Sequence, residues 1–221
     1  MTPVLIFGAS RGVGLELARL LRRDDIPVLA MVRPRTDALP LLEIGVDILP
    51  GDVLEPGDVK RALDALDDQG IVVSTVSGRT EDGRFVDDDG NRIIVDAAAV
   101  RGVRHCVLVT SIGCGEMRPF RSARAIAAFG DVVDAKTRAE DHLKASGVPF
   151  TLIRPGGLGD EPATGQGMLS ENPAIHGFIQ RADVALLIRR VMSDPGALGK
   201  AYAAVDRDRA RIDPIPATGT G

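Results

Sequence analysis

Seven short apolar runs, alternating with segments of helical spacing, limit the fold of this chain more than any other feature. Four of the runs read VLIF, GIVVSTV, CVLVT and FTLI, and they are apolar at nearly every position. Strands that are covered on both faces have this composition. Because strands alternating with helices form right-handed βαβ units, we predict an α/β fold. Its core would be a doubly wound parallel sheet of about seven strands with helices on both faces.

The predicted elements are separated by glycine, proline and polar residues. The predicted strands cover Val4–Phe7, Pro27–Val32, Asp47–Pro50, Ile71–Val76, Arg104–Thr110, Phe150–Arg154 and Ala201–Val205. The predicted helices cover Gly14–Arg23, Asp37–Ile44, Glu55–Leu66, Asp88–Val100, Asp131–Ala145 and Asp183–Met192. The length of 221 residues suits one domain, which we place at residues 1–206. We expect residues 207–221, which are first charged and then rich in Pro, Gly and Thr, to form a loosely attached tail.

The sequence GASRGVG lies between the first predicted strand and the first predicted helix. Gly8 would permit a tight turn, Gly12 would let backbone amides approach a pyrophosphate, and Gly14 would let the helix pack closely on the sheet. The N-terminus of the helix would face the phosphates with its partial positive charge. Three glycines alone are a weak signal, but their position between a strand and a helix predicts a Rossmann-type dinucleotide site.

The residues after the second predicted strand bear on the choice of cofactor. A site for NAD usually places an acid there, to bind the ribose 2′-hydroxyl. This chain has Arg33 and Arg35 at that place, and Arg11 in the glycine loop is a third cation. Guanidinium groups bind phosphate in a bidentate manner, so we predict NADP(H). After the third strand, Asp52 either caps the next helix or accepts a hydrogen bond from the adenine amino group.

Composition excludes several other classes of function. The net charge of −4 and the aromatic fraction of 3% argue against a nucleic-acid partner. Two cysteines and three histidines stand in no metal-ligand spacing, so we expect no metal site. The absence of an 18-residue apolar run and of a secretory signal predicts no membrane span and a cytoplasmic location. We expect a small-molecule substrate and a monomer or small homo-oligomer.

Taken together, the motifs resemble a known family from about Val4 to Asp206. The motifs are GASRGVG, MVRP, GDV, STVSG, VLVTSIG, KTRAEDHLKASG, TLIRPGGL and RADVA. The chain is similar to the atypical short-chain dehydrogenase/reductase proteins that bind NAD(P)H, and especially to small biliverdin IX-beta reductase/flavin reductase-like and NmrA-like members. Its glycine spacing departs from the G-x-x-G-x-x-G of this subgroup and is closer to the G-x-x-x-G-x-G of the tyrosine-dependent enzymes.

The resemblance implies roles for residues at the carboxyl ends of the strands, where open α/β sheets bind ligands. Thr110 and Ser111 would lie under the nicotinamide, and Lys136 would hydrogen-bond the nicotinamide ribose. Ser111 and Lys136 are the candidate catalytic residues. The remaining candidate cofactor contacts are Ser10 and Val13 in the glycine loop, Val53 after the third strand, Thr75, Val76 and Ser77 after the fourth, and Pro155, Gly156 and Gly157 after the sixth.

The position four residues before Lys136 is occupied by Val132, where tyrosine-dependent enzymes of this kind have their proton donor. Valine donates no proton, and the one tyrosine of the chain, Tyr202, is predicted in the last strand. Flavins, quinones and linear tetrapyrroles need little protein acid, because conjugation spreads the charge of the incoming hydride. We therefore expect an NADPH-dependent reductase of such a molecule. The alternatives are a non-catalytic NADP(H) sensor and a sugar-nucleotide epimerase-like enzyme.

Two segments are predicted to form the walls of the substrate site. They cover residues 113–130 and 156–180 and are rich in Gly, Pro and Arg, as substrate loops often are. Arg118, Arg121 and Arg124 in the first segment either bind an anionic substrate or are solvated. Ser111 either donates a hydrogen bond to the substrate or nicotinamide, or is bonded to nearby backbone. Lys136 could likewise be a solvated helix residue.

Overall fold

A computed structural model describes residues 3–66 and 70–212. The strands are β1 Val4–Phe7, β2 Val28–Val32, β3 Asp47–Pro50, β4 Ile71–Ser74, β5 His105–Val109, β6 Phe150–Pro155, β7 Gly157–Gly159, β8 Gly167–Ser170, β9 Ile175–His176, β10 Phe178–Gln180, β11 Lys200–Asp206 and β12 Arg211–Ile212. The helices are α1 Gly12–Arg23, α2 Leu39–Leu42, α3 Pro56–Asp64, α4 Val86–Arg101, α5 Ala123–Ala145 and α6 Arg181–Val191.

Eight of these strands form one sheet in the order β3-β2-β1-β4-β5-β6-β11-β8. All neighbouring pairs in it are parallel except β11 and β8. The prediction of a doubly wound α/β sheet is confirmed, with one strand more than the seven expected. The order reverses between β1 and β4, so a crevice opens at the carboxyl ends of these two strands, as in other open α/β sheets.

Helices cover both faces of the sheet. One apolar cluster joins α1, α2 and α6 to the sheet through buried residues such as Leu17, Leu41 and Ile188. A second cluster joins α3, α4 and α5 to the opposite face through residues such as Ile94 and Leu143. Burial of each such side chain contributes roughly 1.5–3 kcal/mol relative to exposure. The continuously apolar strands therefore form the middle layer of a three-layer fold.

Some elements differ from the sequence-based expectation. Helix α5 begins at Ala123 rather than at Asp131, and the Ser122 side chain caps it by accepting a hydrogen bond from the Ala125 backbone N–H. The segment 156–180, expected as a loop, contains the four short strands β7 to β10. Parallel pairing of β7 with β10 fixes two parts of this segment against each other. The predicted substrate wall is thus a structured element.

The start of the predicted tail packs on the domain. Arg207–Arg209 form a 3₁₀ helix, and Arg211–Ile212 form β12, which pairs antiparallel with β9. The fold therefore extends at least to Ile212 rather than ending at Asp206. Residues 213–221, which make up the remainder of the predicted tail, lie outside the described residues. Among the helices of the described residues, none has the length and apolar character needed to cross a membrane.

Two short strands form the edges of the large sheet. At one edge, β3 has four residues, with Asp47 and Pro50 exposed at its ends. At the other edge, β8 also has four residues and runs antiparallel to β11. The longest pairing of the sheet joins β6 and β11, inside these edges.

Candidate functional site

The glycine turn is packed against the end of β4. Gly8 has a φ of +87°, which L side chains rarely adopt, and a Cβ there would meet the Thr75 hydroxyl at 2.7 Å. A Cβ on Gly14 would overlap the Gly8 carbonyl oxygen. The Thr75 hydroxyl donates to the carbonyl oxygens of Phe7 and Gly8 at 3.2 and 3.1 Å. Gly8 and Gly14 thus allow the close helix–strand packing that the sequence predicted, and Thr75 supports the turn.

Gly12 lies at the start of α1 with a φ of +58°. The nearest atoms to a Cβ built on it are Nε and Cδ of Arg181, at 3.5 and 3.6 Å. Gly12 and Arg181 line a pocket of about 250 Å³ together with Glu16, Asp160, Glu161, Pro162 and Ala182. The N-terminus of α1 therefore opens on a concave surface with a cation beside it. Sequence reasoning missed Arg181, although its motif RADVA was recognised.

The other residues of the glycine turn differ in exposure. Val13 is buried in the apolar cluster between α1 and the sheet, so only its backbone faces the turn. Ser10 is partly exposed and Arg11 is exposed. No side chain caps the N-terminus of α1 at Arg11. The backbone amides of the first turn are therefore placed where an anion can accept from them.

Arg11, Arg33 and Arg35 are exposed side chains at the carboxyl ends of neighbouring strands. Arg11 follows β1 and Arg33 follows β2, and β1 and β2 pair directly. Within residues 3–66 and 70–212, none of the three arginines forms an ion pair or a side-chain hydrogen bond. These guanidinium groups are therefore available to a ligand.

Asp52 does not take the first of its two expected roles, which is to cap the next helix. Its Oδ1 accepts a hydrogen bond from the Leu54 backbone N–H at 3.0 Å, and its own N–H donates to Asp58 Oδ2 at 2.9 Å. The N-cap of α3 is Glu55, so Asp52 stabilises the turn before the helix rather than capping the helix. Val53 packs against α4 at Gly90. A Cβ built on Gly90 would lie 3.0 Å from Cγ2 of Val53.

Lys136 is held in a buried polar cluster that sequence reasoning did not foresee. Its Nζ lies 2.5 Å from Asp87 Oδ1, with side-chain exposures of 12% and 1%. Asp87 Oδ2 accepts from the Gly78 backbone N–H at 3.0 Å, just after Val76 and Ser77. The interpretation of Lys136 as a solvated helix residue is wrong. The lysine lies at the carboxyl end of β4, where Val76 is buried and Ser77 is exposed.

The same cluster continues into the sheet. Asn91 donates to the Asp87 backbone carbonyl at 2.8 Å, and Ser74 donates to Asn91 Oδ1 at 2.6 Å. Ser74 and Asn91 are buried. This chain of bonds ties α4 to β4 and so fixes Asp87, which in turn fixes the Lys136 ammonium group.

Thr110 takes part in a second buried network, centred on Arg154. The Thr110 hydroxyl donates to Glu140 Oε1 at 2.6 Å. Arg154, at 1% exposure, donates to Glu140 at 3.0 and 2.7 Å and to Glu116 at 2.6 and 3.0 Å. Burial lowers the pKa of Arg154, but its bonds to Glu140 and Glu116 outweigh burial and raise it. Sequence reasoning missed this network, which fastens the 3₁₀ helix Gly115–Phe120 to the end of β6.

Ser111 follows β5 and is partly exposed. Among the described residues, the Ser111 hydroxyl contacts Cys114 Sγ at 3.7 Å. The Cys114 thiol also donates to the Val133 carbonyl oxygen at 3.6 Å. Burial raises the pKa of the Cys114 thiol, with Glu140 adding to the shift. The Ser111 hydroxyl is thus held by a weak partner, whereas the thiol beside it is kept protonated.

The helix turn before Lys136 carries Val132, which is partly buried. Tyr202 lies in β11 opposite Ile153 of β6 and packs against the apolar cluster on the α1 and α6 face. Since β11 is separated from β5 by β6, Tyr202 is two strands away from Ser111.

The glycines after β6 are explained by a close backbone crossing. A Cβ on Gly156 would overlap the Gly177 carbonyl oxygen, and the Gly157 N–H donates to that oxygen at 2.9 Å. A Cβ on Gly157 would meet the ring of Phe178 at 2.5 Å. Pro155 is buried, and its carbonyl oxygen accepts from the Ile112 N–H at 2.9 Å. The contacts of Gly156 and Gly157 lie within the second predicted wall, and the Ile112–Pro155 bond ties the residue before the first wall to the end of β6.

The three arginines of the first predicted substrate wall differ in exposure and in their partners. Arg121 has 6% side-chain exposure and donates to the Gly113 carbonyl and to Asp134, each at 2.6 Å. Its hydrogen bond holds the pKa of Asp134 below the usual range. Arg121 is thus buried and paired with Asp134 rather than solvated, whereas Arg118 and Arg124 are exposed.

Comparison with known proteins gives a consistent result. A family model described as NAD(P)H-binding matches residues 8–195. The anaerobilin reductase ChuY from Escherichia coli O157:H7 superposes with a TM-score of 0.86 at 36% identity, covering 96% of this chain and 100% of that chain. Sanguinarine reductase from Eschscholzia californica is 30% identical over an alignment of 224 positions that covers 82% of this chain and 81% of the relative.

A third relative carries a different name. The uncharacterized sugar epimerase YhfK from Bacillus subtilis is 27% identical over an alignment of 210 positions that covers 93% of this chain and 94% of the relative. The family match covers most of the chain and includes the glycine turn, both buried networks and Arg181. It confirms the resemblance that the motifs indicated. The chain therefore belongs to the NAD(P)H-binding family of Rossmann-fold oxidoreductases.

Proposed function

We propose that the protein is an NADPH-dependent reductase that transfers hydride to a conjugated small molecule, such as a flavin, a quinone or a tetrapyrrole-like compound, without a catalytic tyrosine. The observation that carries this proposal is the anchored Lys136 with Val132 one helical turn before it. The lysine is held at the end of β4 by a buried carboxylate, whereas the position of the usual proton donor is an apolar side chain.

The residues of the glycine turn fit a dinucleotide. Gly8, Gly12 and Gly14 keep the backbone clear of side chains, and the first turn of α1 directs its amides outward. The exposed guanidinium groups of Arg11 and Arg33 would bind a 2′-phosphate, and each charge-assisted bond contributes roughly 1.5–3 kcal/mol. When bound, the nicotinamide supplies the hydride. We therefore propose NADPH over NADH.

Lys136 would hold the nicotinamide ribose. Asp87 fixes its ammonium group, so the lysine loses little conformational freedom when a ribose hydroxyl becomes a further partner. Ser111 would donate a hydrogen bond to the acceptor or to the carboxamide, since its hydroxyl is engaged only by the Cys114 sulfur among the described residues. Thr110 would act through its bond to Glu140, as a positioning residue below Ser111.

A conjugated acceptor suits this set of residues. Hydride transfer to such a molecule spreads negative charge over many atoms, so water can supply the proton and the protein has mainly to align two rings. Two relatives bear names of reductases that act on small molecules, which supports a reductase over a sensor. Because one relative is named as a sugar epimerase, the test below includes the epimerase alternative.

The test is steady-state NADPH oxidation against a panel of flavins, quinones and simple ketones. We expect turnover with at least one conjugated acceptor and little with ketones. Fast turnover of ketones alone would show that another residue supplies the proton and would contradict the proposal. Tight NADPH binding without turnover of any acceptor would favour the sensor, and conversion of a nucleotide sugar would favour the epimerase.

A matched pair of variants tests the lysine. Lys136→Met should weaken NADPH binding and lower turnover, because the ribose loses a donor. Lys144→Met removes an equivalent charge from the exposed end of the same helix, where Lys144 lies 3.9 Å from Asp141, and should leave both quantities unchanged. Equal behaviour of the two variants would contradict the role of Lys136.

A further inference from the structure

Arg181 occupies a position at the glycine turn that no motif predicted. It is the first residue of α6, and its side chain extends across the start of α1, with Nε and Cδ near the position of a Cβ on Gly12. The Gly12 backbone is the point at which a dinucleotide diphosphate comes closest to this fold. The guanidinium group therefore lies beside the diphosphate position and not beside the ribose.

The cation is already paired, but with a partner that is easily replaced. Arg181 Nη1 lies 2.5 Å from Asp160 Oδ1, and the exposures of the two side chains are 27% and 85%. Ion pairs with one well-solvated partner contribute little free energy. A diphosphate carries more charge than one carboxylate and also accepts from the backbone amides of α1. The diphosphate should therefore displace Asp160 from the guanidinium group.

The loop that follows Asp160 is hydrogen-bonded to the start of α6 on both sides of this ion pair. Gln180 accepts a hydrogen bond from the Glu161 N–H at 3.1 Å, and Asp183 accepts from the backbone N–H groups of Thr164 and Gly165, each at 2.8 Å. Asp183 is buried. The loop that carries Asp160 is thus fastened to the first turn of α6 at points on either side of Arg181. Exchange of partners requires movement of two side chains and not of the loop.

The other acids of the pocket do not compete in the same way. Glu16 Oε1 lies 2.8 Å from Arg19 Nη1 on the surface of α1. Glu161 is exposed, and its backbone is the part that Gln180 holds. Asp160 is therefore the acid whose carboxylate contacts the cation at the glycine turn.

We propose that Arg181 binds the diphosphate of the nicotinamide nucleotide and that Asp160 is its counter-ion in the nucleotide-free protein. This inference rests on the proposed nucleotide site, but it is independent of the preference for NADPH and of the acceptor. NADH and NADPH share the diphosphate, so both nucleotides should depend on Arg181 equally. The arginines at the 2′-phosphate position should affect NADPH alone.

The experiment is calorimetric titration of the full chain with NADPH and with NADH, without an acceptor. Arg181→Met should weaken binding of both nucleotides by roughly ten- to a hundredfold, with their affinity ratio unchanged. Arg181→Lys should recover part of the loss, because it keeps the charge but loses the fork of donors. Asp160→Asn should tighten both nucleotides by up to about fivefold, since it removes the competing charge.

Arg189→Met is the matched control. Arg189 lies on the same helix and pairs with Asp24 at 3.1 Å, remote from the glycine turn, so its loss should leave both affinities within twofold of the unmodified protein. Thermal unfolding checks that every variant is folded. If Arg181→Met fails to fold, Arg181→Lys and Asp160→Asn decide the question.

Three results would overturn the inference. Unchanged affinities in Arg181→Met would exclude the contact, and a loss confined to NADPH would place the guanidinium group at the 2′-phosphate. Weaker binding in Asp160→Asn would show that Asp160 supports the site and does not compete for it. If the unmodified protein binds neither nucleotide, the proposed function itself is wrong, which is a different result from these three.

Discussion

Loss of the Glu140 carboxylate should strongly reduce the stability of this fold, although Glu140 lies outside the apolar clusters. Glu140 has 0% side-chain exposure and accepts two hydrogen bonds from Arg154 and one from Thr110. Glu140→Gln keeps the size of the side chain and removes its charge. The Arg154 guanidinium group would then be buried with Glu116 as its remaining carboxylate partner, and Glu116 is half exposed.

The magnitude follows from this arrangement. Removal of one partner from a buried ion pair costs about 3–5 kcal/mol, because the other charge is left without compensation. We expect about 3 kcal/mol for Glu140→Gln, since Glu116 continues to pair with Arg154. In a protein of this size, each kcal/mol lowers the melting temperature by about 2–4 °C, so the variant should melt about 6–12 °C lower.

The assay is urea unfolding combined with thermal unfolding. Glu171→Gln is the control, because its pair with Lys200 at 3.0 Å is exposed on both sides and should contribute less than about 1 kcal/mol. The double variant Glu140→Leu with Arg154→Met removes both buried charges and should regain most of the lost stability. A cost below about 1 kcal/mol for Glu140→Gln, or a double variant as unstable as the single one, would refute the reasoning.

Three further results are expected. Gly12→Val should abolish nucleotide binding and leave the fold intact, because the φ of +58° and the approach of the diphosphate both exclude a branched side chain; calorimetry and circular dichroism report the two effects. Arg33→Ala should erase most of the preference for NADPH over NADH, and equal affinities in the unmodified protein would contradict that assignment. Burial and the nearby Arg104 lower the pKa of His105 to about 4. As the pH falls, His105 is therefore protonated in the unfolded chain before it is protonated in the folded chain. This difference should remove roughly 2–3 kcal/mol of folding stability between about pH 6.5 and pH 4.5. His105→Asn should reduce this pH dependence in urea unfolding, and an unchanged slope would show that His105 is not its source.

Seven of the eight strands of the sheet followed from the sequence, because buried parallel strands are apolar at nearly every position. The start of α5 did not follow from the sequence. Residues 123–130 of that helix read ARAIAAFG, so their four alanines favour a helix, but the segment is largely exposed, carries no stripe of core residues and ends in Gly130. The cap at Ser122 was the available signal, and it precedes alanines rather than an apolar stripe.

The glycine turn of the site was predicted, since its spacing and position follow from the approach of a phosphate to backbone. The buried networks were not. An arginine at the end of an apolar strand and a glutamate in a helix each suggest a surface when read alone, and Arg154 and Glu140 become a pair only when β6 and α5 meet. Asp87 was not predicted for the same reason, because its partner Lys136 is distant in sequence. Contacts between elements remote in sequence are those that composition and periodicity cannot supply.

The short edges of the sheet have a consequence for how copies of this protein can meet. An exposed strand of unpaired backbone groups is a template on which another chain can add a strand. Here β3 is only four residues long, begins with the charged Asp47 and ends with Pro50, which has no N–H to donate. At the other edge, β8 is equally short. Growth of the sheet from one molecule into the next is therefore disfavoured, and concentrated solutions should resist fibrous aggregation through these edges.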